Sequence, residues 1–140
     1  MARDEKLELL KRIQLFSRLN RRELLRLGEL ADEIDLPSGR VLMREGERGE
    51  EAFIIVSGSA EIERDGRVVA TRSTGEILGE IALVDGGPRT ATVKLVEDSR
   101  LIVLGRKQFH ALMDEYPEVR LRVLETLAQR VRATEPDAAH

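Results

Sequence analysis

The residues best suited to chemistry stand together in Gly79-Glu80-Ile81-Ala82-Leu83-Val84-Asp85-Gly86-Gly87-Pro88-Arg89-Thr90-Ala91-Thr92-Val93. A Gly-Glu pair opens one short helical turn, a Gly-Gly-Pro reversal follows, and Arg89-Thr90 begins an extended run. Gly79 lets a ligand approach the backbone closely. The N–H groups of Ile81 and Ala82, at the start of the turn, make a ready anion site. Arg89 can fork two donors onto a phosphate, and the Thr90 hydroxyl adds a third. Glu80 would repel an anion unless it faces a hydroxyl that donates to its carboxylate. An anion that also carries a hydroxyl donor implies a ribose phosphate.

Short extended segments must hold this stretch. From Ala31 to Gly105, apolar runs at Ile34–Leu36, Val41–Met43, Phe53–Val56, Ala60–Ile62, Val68–Ala70, Ile77–Leu78, Ala91–Val96 and Leu101–Leu104 alternate with turn signals. Asp65-Gly66 between two alternating runs predicts a two-residue hairpin. No helical pattern in this region is long enough for a parallel crossover, so the expected fold is mainly β, an antiparallel sandwich or jelly roll. The glycines Gly46, Gly49 and Gly58 are expected at turns with unusual backbone angles.

Helical periods flank the β region. Leu7, Leu10 and Ile13 fall on one face of a helix over Asp4–Gln14, and Leu24, Leu27 and Leu30 on one face of a second. Asn20 and Glu23 form a capping pair for that second helix. After Gly105, Phe109, Leu112, Met113 and Tyr116 recur at helical spacing, and Pro117 starts a last helix at a position where proline is tolerated. Its apolar stripe is expected to be Leu121, Leu124, Leu127, Ala128 and Val131, with Glu135-Pro136 ending it and a frayed tail beyond.

Composition narrows the functions. With 140 residues and 41% apolar content, the chain suits one domain with its own core. A net charge of -3, with charges of both signs, argues against nucleic-acid binding by this chain alone. No cysteine is present, and His110 and His140 are far apart, so neither a disulfide framework nor a metal centre is expected. No run approaches a membrane span and the N-terminus is charged, which points to the cytoplasm. No nucleophile triad, catalytic carboxylate pair or Walker lysine is visible, and the chain is expected not to be an enzyme.

The segment from Leu78 to Val93 resembles the phosphate-binding cassette of cyclic nucleotide-binding domains, F-G-E-(I/L)-A-L followed by P-R-(A/S/T)-A-(T/S)-V. It departs only at Leu78, where phenylalanine is commoner. Gly46 to Gly58 resembles a second signature of the family, with Glu50 in place of the usual Asp. The resemblance covers about residues 15 to 134. It implies an antiparallel β-roll over 31–105, a helical lead-in over 4–30, two C-terminal helices over 106–134 and a tail over 135–140.

By the same resemblance Glu80 takes the ribose 2′-hydroxyl, Arg89 the cyclic phosphate, and Ala82 and Thr90 offer backbone N–H groups to that phosphate. Val69 and Val93 would line the base pocket. Thr90 matches relatives that prefer cyclic GMP, whereas Thr134 stands where the catabolite-activator type meets the adenine amine. Cyclic AMP is the expected ligand and cyclic GMP the alternative, with no further cofactor. The expected function is a sensor that signals by moving its last helix, as a homodimer or towards an effector. The alternatives are a degenerate protein-interaction module and the sensor half of a longer transcription regulator.

Overall fold

The computed structural model describes residues 1–134, and the expected end at Glu135-Pro136 and the tail lie outside the described residues. The chain divides into a β unit, Glu29–His110, and a helical unit made of Met1–Gly28 with the chain from Ala111 onward.

In the β unit eight strands run antiparallel: β1 (Asp32–Leu36), β2 (Val41–Met43), β3 (Glu51–Ser57), β4 (Ala60–Arg64), β5 (Arg67–Arg72), β6 (Ile77–Leu78), β7 (Thr92–Leu95) and β8 (Ser99–Gly105). They form two four-stranded sheets, ordered β1-β8-β3-β6 and β2-β7-β4-β5. The two sheets enclose Met43, Phe53, Ile55, Ala60, Leu78, Val93, Leu95 and Leu101, which form one core cluster. Residues 52–55 of β3, a strand flanked by β8 and β6, are buried without a break. Burying such a side chain contributes about 1.5–3 kcal/mol. This is the β-roll expected from the sequence.

The Asp65-Gly66 turn is two residues long, with φ 52° and 77°, the left-handed pair that matches the twist of a hairpin. Below it the β4–β5 ladder slips. Ile62 pairs with Ala70 but Glu63 pairs with Val68, so Val69 is an extra residue at a bulge. Between β6 and β7 lies a single short helix, α3 (Ile81–Asp85), and β8 runs directly into α4 (Arg106–Glu115).

The helical unit contains α1 (Arg3–Arg12) and a turn of 3₁₀ helix at Gln14–Phe16. It also holds the start of α2 (Arg21–Leu30) and α5 (Pro117–Thr134). Leu7, Leu10, Ile13, Leu24 and Leu27 are buried as their spacing requires. Asn20 N–H donates to Glu23 Oε1 (2.8 Å) while Glu23 N–H donates to Asn20 Oδ1 (2.9 Å), the reciprocal cap expected at the start of α2. Glu23 is itself buried and also accepts from Arg122 of α5. Arg122 donates further to Glu118 and to the Arg18 carbonyl.

The buried face of α5 is Val119, Val123 and Thr126, and the stripe expected there is corrected. Leu121, Leu124 and Val131 are 60%, 56% and 52% exposed. The helix carries two apolar faces. The Thr126 hydroxyl, satisfied by the Arg122 carbonyl (3.0 Å), lets the less obviously apolar face turn inward. No helix among the described residues is long and apolar enough to cross a membrane.

Candidate functional site: an anion cradle in the β unit

Gly79 ends β6 with φ +77°, an angle that only glycine adopts without strain. The chain then enters α3 through Glu80, whose own backbone is already helical. Leu83 anchors this short helix in the core at 0% exposure, and Ala82 is buried with it. Gly86 closes α3 in the left-handed conformation (φ 63°), with its N–H on the Ala82 carbonyl (2.9 Å). Asp85 then turns back on its own loop, accepting from the Gly87 N–H (2.8 Å).

The loop from Arg44 to Gly49 straps this reversal in place. Gly49 N–H donates to the Gly87 carbonyl (2.9 Å), Arg89 N–H to the Glu47 carbonyl (2.6 Å), and Gly46 N–H to the Arg89 carbonyl (2.9 Å). Arg48 and Pro88 pair as an isolated bridge. Gly46 and Gly58 have the positive φ expected of them, 86° and 111°. Gly49 does not, and the expectation is corrected there. A Cβ on Gly49 would lie 2.6 Å from Ala82 Cβ and 2.9 Å from Arg89 Nη1, so this glycine is needed for space.

Arg89 is the centre of the arrangement. It is 8% exposed, and its Nη1 is buried without a hydrogen-bond partner among the described residues. Burial lowers the pKa of its guanidinium, and the nearby Glu51 and Glu50 carboxylates act against that. The group stays charged, and a buried cation with an unmet donor is a strong site for an anion.

A cavity of about 370 Å³ opens beside it. Gly79, Glu80, Ile81, Ala82, Arg89, Thr90 and Val93 all line it, so the structure brings together seven of the residues singled out in the sequence. Two stand elsewhere. Val69, at the bulge, is 54% exposed and does not line this cavity. Thr134 belongs to the helical unit, where its hydroxyl donates to the carbonyls of Arg130 (3.1 Å) and Val131 (3.2 Å). The Ala82 N–H closes a long 3.3 Å turn onto the Gly79 carbonyl, so it is less free than a bare helix start suggests.

Sequence reasoning passed over Ile62, Arg64, Arg72 and Ile77, which wall the cavity on the side of β4, β5 and β6. Their alternation along β4 was a usable signal for the first two. Among the described residues no cluster of His, Asp or Glu suits a metal ion.

A buried arginine, an acidic residue and a short helix around one cavity on a β-roll define an anion-binding module. The chain belongs to the cyclic nucleotide-binding domain family, whose model matches residues 33–116. It is 28% identical over 137 residues to a CRP-like cAMP-activated global transcriptional regulator of Mycobacterium tuberculosis, a match covering 94% of this chain and 61% of the regulator. Its fold is similar to the N-terminal domain of a Streptomyces coelicolor transcriptional regulator, with TM-score 0.84 and 30% identity over 92% of this chain and 93% of that one. It is also similar to the regulatory domain of Toxoplasma gondii PKA, solved with cAMP, with TM-score 0.74 and 32% identity over 79% of this chain and 44% of that one. The chain spans less than two thirds of the length of the first curated relatives it matches.

Proposed function

We propose that this chain is a cyclic nucleotide sensor that prefers cyclic AMP and does no chemistry on it. The observation that carries this reading is Arg89, buried, charged and with an unmet Nη1 donor at the edge of the cavity. A cyclic phosphate supplies the missing acceptors. Glu80, on the same wall, accepts from the ribose 2′-hydroxyl, and the N–H groups of Ala82 and Thr90 complete the phosphate shell. Val93, Val69 and Thr134 serve the base in this reading. Cyclic AMP is favoured because the mycobacterial relative is a cAMP-activated regulator and the Toxoplasma regulatory domain was solved with cAMP.

Residues 1–140 act as one domain in this reading. Ligand binding orders the cassette, Ile81, Leu83 and Val84 shift with it, and the last helix follows. A ligand moves such an equilibrium only by its differential affinity for the two states. The output face is the exposed Leu121, Leu124 and Val131 of α5, offered to a second copy or an effector. A second reading, the sensor half of a longer regulator, is favoured by the near-complete match to an N-terminal regulator domain. Calorimetric titration with cyclic AMP and cyclic GMP tests the function. Saturable binding with cyclic AMP the tighter is expected, and binding of neither would overturn it in favour of an interaction module.

A further inference from the structure

Arg106, the first residue of α4, lies across the far end of the cassette. A Cβ on Gly86 would sit 2.9 Å from its Nε, 3.0 Å from its Cζ and 3.1 Å from its Cδ, so the flat end of the side chain covers the Gly86 backbone. Gly86 is the residue that terminates α3. The last carbonyls of a helix lack intrahelical partners, whereas the Arg106 Nε–H is a buried donor with no partner among the described residues. An unmet buried donor is costly, and this one lies against the Gly86 backbone at the end of α3.

The backbone makes a second connection. Arg106 N–H donates to the Glu50 carbonyl (2.8 Å), next to Gly49, whose N–H holds the Gly87 carbonyl. Residues 49 and 50 therefore grip the cassette reversal on one side and the start of α4 on the other.

We propose that Arg106 is a positioning residue for the cassette: its guanidinium seats the end of α3 and carries a ligand-driven shift of Gly86 into the first turn of α4. The inference rests on the reading of the cavity as a cyclic nucleotide site. Arg89 and Arg106 then act on opposite ends of one short helix. A phosphate drawn to Arg89 tilts α3, and the α3 carbonyls come onto Arg106 Nε–H. This gives α4 two discrete arrangements that the ligand can bias. A lysine cannot replace it, because it offers a point charge without the planar stem or the Nε–H.

The test combines cyclic AMP calorimetry with amide hydrogen exchange on wild type, Arg106→Ala and Arg106→Lys. Wild type is expected to bind and to show slower exchange over residues 81–86 and 106–110 when saturated. In both variants the ligand still slows exchange over 81–86, at about 3- to 10-fold weaker affinity. The ligand-induced slowing over 106–110 is lost. Loss of general packing alone would raise exchange in both segments and leave the ligand response intact.

A double-mutant cycle gives an independent measure should one variant be poorly folded. Gly86→Ala is expected to cost about 2- to 10-fold less affinity in the Arg106→Ala background than in wild type. A wild-type ligand response over 106–110 in Arg106→Ala, or additive effects in the cycle, would overturn the proposal. Failure of wild type to bind any cyclic nucleotide is a separate outcome, which removes the reading of the cavity and this inference with it.

Discussion

Arg89 Nη1 lies 2.5 Å from the point where a Cβ on Gly79 would sit, and 2.9 Å from the corresponding point on Gly49. The guanidinium rests on two bare stretches of backbone contributed by distant parts of the chain. Any side chain at either position would lift it. The arginine and its two glycines are one device, and none is replaceable alone.

Arg89→Ala is expected to abolish useful ligand binding. Removing one partner of a buried charged pair costs roughly 2–5 kcal/mol. At about 1.4 kcal/mol per tenfold, affinity should fall on the order of 30- to several-thousand-fold. Arg89→Lys should rescue little, since the fork is lost. A calorimetric change below threefold in Arg89→Ala, roughly 0.6 kcal/mol, would remove it from the site.

Gly49→Ala separates space from backbone angle. The new methyl would meet Ala82 Cβ and displace Arg89. Overpacking of this kind costs about 1–3 kcal/mol, and binding should weaken together with stability. Gly46→Ala meets nothing within 4 Å and suffers only backbone strain at φ 86°. Urea unfolding and calorimetry on both variants should therefore show stability lost in each but affinity lost only in Gly49→Ala. Equal affinity in the two would contradict the packing argument.

Glu80 is expected to read the sugar and not the base. Glu80→Gln keeps the shape but weakens the acceptor. Binding of cyclic AMP and cyclic GMP should fall together, and 2′-deoxy cyclic AMP should bind wild type more weakly than cyclic AMP does. Equal affinity for the deoxy analogue would assign Glu80 another role.

The choice of base is decided by competition between the two nucleotides on wild type, Thr90→Ala and Thr134→Ala. Adenine N6 donates where guanine O6 accepts, and a threonine hydroxyl serves either. Wild type should prefer cyclic AMP, and Thr134→Ala should narrow that preference. A tenfold preference for cyclic GMP that Thr90→Ala erases, about 1.4 kcal/mol, would reverse the assignment.

In the helical unit, Glu23→Ala should be among the most destabilising single changes. It removes the side-chain half of the reciprocal cap, at the low end of about 0.5–2 kcal/mol because the backbone N–H of residue 23 still donates to Asn20. It also strips Arg122 of its most buried partner. Breaking a buried pair costs about 3–5 kcal/mol. Because Arg122 is itself 23% exposed and keeps Glu118, the combined loss should be about 2–4 kcal/mol. Glu23→Gln should recover part of it, and a thermal melt comparing the two checks the assignment.

Strands and turns were legible because their signals are local. Asp65-Gly66, Asn20 with Glu23, and Pro117 each did what their chemistry requires. The cassette was legible for the same reason, since its spacing forces Glu80 and Arg89 onto one loop. Gly49 was misjudged because its constraint is a side chain arriving from Arg89, a fact of packing with no local trace. The inward face of α5 was misjudged because two apolar faces share one helix, and periodicity cannot choose between them. Val69 was assigned from the family resemblance, and a bulge at that position is not visible in the order of residues along β5.

That bulge has a further meaning for variation in this molecule. Val69 is an extra residue in β5 alone, and Ile62 and Arg64 of the facing strand both reach the cavity wall across it. Deleting Val69 would make the β4–β5 ladder regular while keeping the pairs Ile62–Ala70 and Glu63–Val68. Arg64 would keep its face, because the alternation of β4 runs unbroken from Ile62 to Arg64. The bulge thus bends and twists β5 without deciding which side of β4 meets the cavity, and its loss would be felt in the hairpin's twist before the chemistry of the wall.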